Sequence, residues 1–324
     1  MKKLIAIGEC MLELSSVKDD IWKMGIAGDT LNTSWYARAC LSKNWSVLFA
    51  TKIGKDVMSS KVINFLNQND ISTDRISYHP LRTIGLYAIQ LNNGERNFAY
   101  WRENSAARLI ADDQKILKHM LGGADIIHFS GITLAILPPE GRENLFFILQ
   151  ELRSKGAFIS FDPNIRPKLW DSLDLANSII SKAASFCDLI LPSFEEESNC
   201  FGDNTPVETI NRYSQLGAPL IVVKDAGSSI YGKQGDNPVV CVETKKKPLV
   251  DSTGAGDSFN GVFLSAYIEG YSLKKSIRKA HKISSYVIGF KGALVPMQDV
   301  KKIYKSDLNW EIYFERLKLI YFSI

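Results

Sequence analysis

An α/β protein is what the sequence predicts: a three-layer α/β/α domain with a mostly parallel central sheet and a small β-sheet lid. Three observations lead there. Short apolar runs alternate with segments of helical period along most of the chain, the mark of stacked βα units. Polar motifs recur where those runs stop, at the strand ends that bind ligands in open α/β sheets. Two strand-like runs, 84–91 and 95–102, flank Asn92-Asn93-Gly94, a hairpin signal that inserts a small accessory sheet into the alternation.

Residues 3–8 read as a buried opening strand, an apolar run stopped by Gly8. A loop is expected next, leading to Gly25-Ile26-Ala27-Gly28-Asp29-Thr30-Leu31-Asn32 and then to helical spacing over 34–41. Two roles fit Asp29 and Asn32 there, helix capping or hydrogen bonds to sugar hydroxyls. Residues 46–51 read as a strand and 57–66 as a helix with Val57, Ile63 and Leu66 on one side. In the hairpin Tyr87 and Ile89 share a face, as do Phe98, Tyr100 and Arg102. The alternation resumes with strand 125–129, helix 140–153 and strand 157–161, which ends in Asp162-Pro163-Asn164-Ile165-Arg166. Helix 173–186, a short strand 189–191, strand 220–224, antiparallel strands near 239–243 and a helix over 273–288 complete the reading.

A chain of 324 residues, 45% of them hydrophobic, can bury a large core in one big domain or two smaller ones. Its 39 basic and 35 acidic residues are spread without a basic block, which argues against nucleic acid as a partner. Five widely spaced cysteines suit reduced thiols in a cytoplasmic protein. The apolar run at 4–7 is too short for a signal peptide, and no stretch approaches a membrane span.

The chemistry is carried by Val250-Asp251-Ser252-Thr253-Gly254-Ala255-Gly256-Asp257-Ser258-Phe259-Asn260-Gly261, a loop running into a helix. Gly254, Ala255 and Gly256 have almost no side chain, so their N–H groups can approach an anion where a helix dipole is most positive. Asp257 stands in the first turn, where it can serve as a helix cap or take the proton of a substrate hydroxyl. A base beside an anion hole points to phosphoryl transfer.

This stretch resembles the signature of the ribokinase-like (PfkB) sugar kinases, with Ser252 in place of the usual Thr. Within that family the chain is similar to the 2-keto-3-deoxygluconate kinases. The resemblance spans roughly residues 3–297. It rests on Ile7-Gly8-Glu9-Cys10-Met11-Leu12-Glu13-Leu14, Gly28-Asp29-Thr30-Leu31-Asn32, Tyr100-Trp101-Arg102-Glu103-Asn104-Ser105-Ala106-Ala107, Ser130-Gly131-Ile132-Thr133-Leu134-Ala135-Ile136-Leu137 and Asp162-Pro163-Asn164-Ile165-Arg166-Pro167-Lys168-Leu169-Trp170. It implies ATP-dependent phosphorylation of the terminal 6-hydroxyl of a sugar acid, with a neutral-sugar kinase such as a fructokinase as the alternative and a non-catalytic sugar-binding protein on this fold as the remoter one.

By that resemblance the substrate is held by Gly28, Asp29, Thr30, Leu31, Asn32, Tyr87, Tyr100, Trp101, Arg102, Arg166 and Asp257, with Asp257, Gly254, Ala255 and Gly256 catalytic. Arg102 and Arg166 suit a carboxylate on charge grounds, and each also suits an ordinary surface ion pair. The nucleotide is assigned to Asn164, Ile165, Arg166, Ser193, Lys224, Asp225, Ala226, Gly227, Ser228, Ser229 and 254–257. Ser193 and Ala226 depart from the family's Asn and Gly. Glu196 is implied for Mg²⁺ through water, and Asp251 for a monovalent cation such as K⁺. A kinase domain over 1–300 is expected, its lid formed by about 9–33 and 82–108. A C-terminal amphipathic helix over 301–324 would carry Trp310, Phe314, Leu317, Tyr321 and Ile324. An exposed lid edge favours pairing of subunits into a dimer or larger homo-oligomer.

Overall fold

Leu4, Ile5, Ala6 and Ile7 are wholly buried, because the strand they form has sheet neighbours on both edges and helices on both faces. That strand, β1 (Lys2–Ile7), sits inside the main sheet of a computed structural model that describes residues 1–18, 21–92, 95–225, 228–244 and 248–306. The lid strands β2 (Met11–Lys18) and β3 (Ile21–Ala27) follow, then α1 (Asp29–Cys40), β4 (Trp45–Ile53), α2 (Val57–Gln68) and β5 (Ile76–Tyr78). Next come β6 (Gly85–Asn92), β7 (Glu95–Trp101), α3 (Gln114–Leu121), β8 (Ile126–Ser130), α4 (Gly131–Ile136), α5 (Pro139–Ser154) and β9 (Phe158–Asp162). The chain continues through α6 (Leu173–Ala184), β10 (Leu189–Ile190), α7 (Phe194–Phe201), α8 (Pro206–Gln215), β11 (Leu220–Val223), β12 (Ser229–Gln234) and β13 (Val240–Glu243). The last helices are α9 (Ala255–Ile268), α10 (Leu273–Val287) and α11 (Met297–Lys305).

Among the described residues the large sheet runs β13-β12-β11-β10-β9-β8-β1-β4-β5. From β5 to β11 neighbouring strands are parallel, and β12 and β13 close that edge antiparallel. Two apolar clusters form the core. One lies between the sheet and α1, α2, α9, α10 and α11, the other between the sheet and α3, α5, α6 and α8. Strand order reverses between β8 and β1, so a crevice opens beyond their carboxyl ends.

The lid is a separate four-stranded sheet in the order β3-β2-β6-β7. Here the structure corrects one expectation: residues 11–18 and 21–27 are strands, not loop. β2 pairs in parallel with β6, placing Glu13 opposite Tyr87, while β6 pairs antiparallel with β7, placing Tyr87 opposite Tyr100. The hairpin tip at Asn93-Gly94 and residues 307–324 of the helix expected over 301–324 lie outside the described residues. The boundary drawn at residue 300 falls inside α11, whose Val300, Ile303 and Tyr304 are buried in the core. No helix among the described residues is long and apolar enough to cross a membrane.

Candidate active site

Helices α1 and α9 cross at Gly261, where a Cβ would lie 2.9 Å from the Ala37 N and would strike the Thr33 carbonyl. Only a missing side chain allows that approach, and it brings the two helix N-termini together. Asn32 Nδ2 then donates to Asp257 Oδ2 at 2.8 Å. Gly254 is the N-cap of α9 with φ 75°, a left-handed conformation that suits glycine, and a Cβ there would meet the Ala293 O at 2.7 Å. The 293–295 loop is pinned in turn by Tyr36 Oη donating to the Ala293 O (2.6 Å) and Trp35 Nε1 donating to the Val295 O (2.9 Å). The start of α9 is therefore set by α1 twice, once directly and once through this loop.

The amides at that start differ from the expectation in one respect. Ala255 N–H donates to the Ser252 carbonyl at 3.2 Å, because the tight turn into the helix closes on itself, so Ala255 is not an open donor. The N–H groups of Gly256 and Asp257, in the first helical turn, have no partner among the described residues. Lys224 Nζ stands 3.7 Å from where a Gly256 Cβ would be, so an ammonium flanks these amides.

Three carboxylates gather here from distant parts of the chain. Asp162, at the end of β9, accepts from Asn260 Nδ2 (2.6 Å) and pairs with Lys224 Nζ (3.3 Å). Asp29 accepts from Asn164 Nδ2 and from the Thr30 N–H, both at 2.9 Å. Asn164 has φ 36°, which turns its side chain back into the cluster. Burial first, then repulsion from Asp29 and Asp162, pushes the Asp257 carboxyl up to about 8, while the Asn32 hydrogen bond and Lys224 pull the other way. Asp29 is likewise raised, by burial and then by Asp162, against the hydrogen bonds of Ser130, Thr30 and Asn164.

Other expected site residues divide. Gly28 packs so closely on Glu9 that a Cβ would strike the Glu9 carbonyl. Thr30, Leu31 and Asn32, in the first turn of α1, are all buried. Tyr87 is buried and donates to Glu13, and its ring lies 5.8 Å from that of Tyr100. Tyr100 and Trp101 are exposed on the lid. Arg102 is buried and ion-paired with the buried Glu9, and Arg166 is ion-paired with Glu196. Each arginine thus has a glutamate partner, in line with the ion-pair alternative left open for both.

Glu196 also accepts the Ile165 N–H at 2.9 Å, so both its oxygens already have protein donors. The Ile165 side chain is buried. Ser193 and Lys224 form a lone parallel bridge that sets the ends of β10 and β11 side by side. Ser228 N–H donates to the Asp225 carbonyl (3.1 Å), turning the chain into β12, where Ser229 pairs with Glu243 of β13. Ala226 and Gly227 lie outside the described residues. Asp251 accepts from the N–H groups of Thr253 (2.8 Å) and Gly292 (2.7 Å), joining two loops. No group of three or more His, Cys, Asp or Glu among the described residues could hold a metal ion.

Sequence reasoning passed over Glu13, the hydrogen-bond acceptor of Tyr87, and Asn260, which bridges Asp162 and Lys224. The reading of 250–261 as a loop running into a helix held the signal for Asn260, one turn beyond Gly256 on the same helix.

Fold and site together define an α/β protein with a lidded crevice, an acid at a helix N-terminus and open amides beside it. Residues 1–299 match the model of the pfkB family carbohydrate kinases, and the chain belongs to that family. It is 36% identical over 323 residues, 95% of this chain and 100% of the relative, to a 2-dehydro-3-deoxygluconokinase of Haemophilus influenzae. Its fold is similar to that of 2-dehydro-3-deoxygluconokinase from Thermotoga maritima (TM-score 0.78, 20% identity, 94% of this chain and 100% of that one). It is similar also to fructokinase with bound ATP from Xylella fastidiosa (TM-score 0.80, 20% identity, 93% and 97%).

Proposed function

We propose that this kinase is a 2-dehydro-3-deoxygluconokinase, which transfers the γ-phosphoryl group of ATP to the terminal 6-hydroxyl of 2-keto-3-deoxygluconate to give 2-keto-3-deoxy-6-phosphogluconate. One observation carries the chemistry: Asp257, half-buried and held by Asn32, adjoins the open amides of Gly256 and Asp257. The near full-length relative of that activity supports the choice of substrate. Asp257 accepts the proton of the attacking hydroxyl, and Lys224 and the amides hold the negative charge that develops on the phosphoryl oxygens. Gly254 supplies the turn that sets these groups in place.

In this reading Gly28, Asp29 and Asn32 take sugar hydroxyls, with Tyr87, Tyr100 and Trp101 covering the sugar. Arg102 and Arg166 meet its carboxylate. Asn164, Arg166, Ser193, Lys224, Asp225, Ser228 and Ser229 line the nucleotide path. Glu196 would hold Mg²⁺ through water, phosphate oxygens and water supplying most of the ligands in such sites, and the ion would offset charge on the phosphates. A monovalent cation such as K⁺ beside the buried Asp251 belongs to the same reading, supported by the carboxylate's place between two site loops.

The reading places the enzyme in the cytoplasm, in keeping with free cysteines at 10, 40, 187, 200 and 241. It also makes the enzyme a dimer or larger assembly through the lid, where Val17, Ile21, Trp22 and Met24 are exposed. Light scattering tests the assembly. A coupled ADP-release assay over a panel of sugar acids and neutral sugars tests the activity; equal or better turnover of fructose would sink the sugar-acid assignment in favour of a neutral-sugar kinase.

A further inference from the structure

Glu9 and Arg102 form a buried ion pair where the lid meets the main sheet, and Arg102 still has a polar atom unmatched. Arg102 Nε is buried without a hydrogen-bond partner, while the Ser105 hydroxyl faces the Glu9 carboxylate. An unmatched buried N–H is costly, and beside a charged pair it marks a place where an acceptor can arrive. Glu9 lies 3% and Arg102 8% exposed. The pair adjoins residues that the proposed reading gives to the sugar: the Glu9 backbone packs on Gly28, next to Asp29, while Arg102 follows the strand that carries Tyr100. Arg102 spends Nη2 on Glu9, which fixes the plane of the guanidinium and leaves the buried Nε without a protein partner.

We infer that Glu9 is a positioning residue for substrate specificity, holding Arg102 so that the unpartnered Nε of its guanidinium meets the carboxylate of the sugar acid. This rests on the sugar-acid reading above. Without Glu9 a buried cation loses its partner and swings toward solvent, and the carboxylate finds a mobile charge in place of a fixed one. Gly85 belongs to the same device, because a Cβ there would lie 2.9 Å from Glu9 Oε1 and 3.2 Å from Arg102 Cβ.

The experiment compares the sugar acid with its uncharged methyl ester in wild type, Glu9→Gln, Glu9→Asp, Gly85→Ala and Arg102→Ala. Glu9→Gln is expected to raise KM for the acid by roughly 10- to 100-fold, with kcat and the KM for ATP held within a few fold and the KM for the ester unchanged. Glu9→Asp restores part of the loss. Gly85→Ala, which keeps both charges, raises KM for the acid in the same direction and serves if Glu9→Gln does not fold. In the double variant Glu9→Gln/Arg102→Ala the loss is no larger than in Arg102→Ala alone. Unchanged KM in Glu9→Gln, or equal losses for acid and ester, overturns the role of Glu9 while Arg102→Ala still separates the two substrates. A wild-type enzyme indifferent to the ester overturns the sugar-acid reading itself.

Discussion

Asn32 and Asp257, 225 residues apart in sequence, meet at 2.8 Å because two helices begin side by side. The hydrogen bond orients the acid, and it favours the ionised form against burial and two neighbouring carboxylates. What this pair does is open to direct measurement.

Removing the acid function tests catalysis. Asp257→Asn is expected to lower kcat by about 10² to 10⁴, the range for loss of a general base, with the fold intact by circular dichroism. Near-normal turnover would take Asp257 out of the base role.

The same substitution has a stability signature. The folded state holds the Asp257 proton more tightly than the unfolded chain, so its contribution to stability is complete below the ordinary carboxylate pKa and is lost as pH rises through about 8. Asp257→Asn should therefore raise Tm at pH 8 and barely change it at pH 4. A Tm difference that is flat with pH would contradict the assignment.

Activity follows the same proton. With ATP and sugar acid below saturation, kcat/KM is expected to climb with pH toward about 8 as Asp257 ionises. Asn32→Ala removes a bond that favours ionisation, so the rising limb moves to higher pH. A limb that moves to lower pH would show that the titrating group is another.

Two neighbouring glycines separate folding from function. Gly254→Ala forces a side chain into a left-handed conformation against the Ala293 backbone and should cost about 2–4 kcal/mol in urea unfolding. In Gly256→Ala the new Cβ meets only Lys224 Nζ, at 3.7 Å, so stability is retained while ATP turnover falls as the phosphate approach is crowded. Equal stability losses at both positions would refute this division.

Away from the crevice, Arg212 donates to Glu197 and Asp203, both at 2.6 Å, and the wholly buried Glu197 also accepts from Tyr213. Arg212→Met leaves that acid unpaired and is expected to destabilise by about 3–5 kcal/mol. Burial already lifts Glu197 to about 7, so the loss should be larger at pH 8 than at pH 5, where the acid takes up a proton.

By itself the sequence determined the alternation of strands and helices, the loop into α9 and the family, since these rest on local periods and on a contiguous motif. It marked Asp257, Asp29, Asn32 and Lys224 as polar groups at element ends. Residues 11–27 were illegible as strands because their alternation breaks at Ser15-Ser16, and because β2 gains its place by pairing with β6, some seventy residues away. Only the tertiary structure decided that three aspartates share one cluster, that Ala255 N–H closes on Ser252, and that Arg102 and Arg166 each answer a glutamate. The reason is physical: propensity and periodicity act over a few residues, whereas burial, ion pairing and the pKa of an acid depend on what the fold brings against it from elsewhere in the chain.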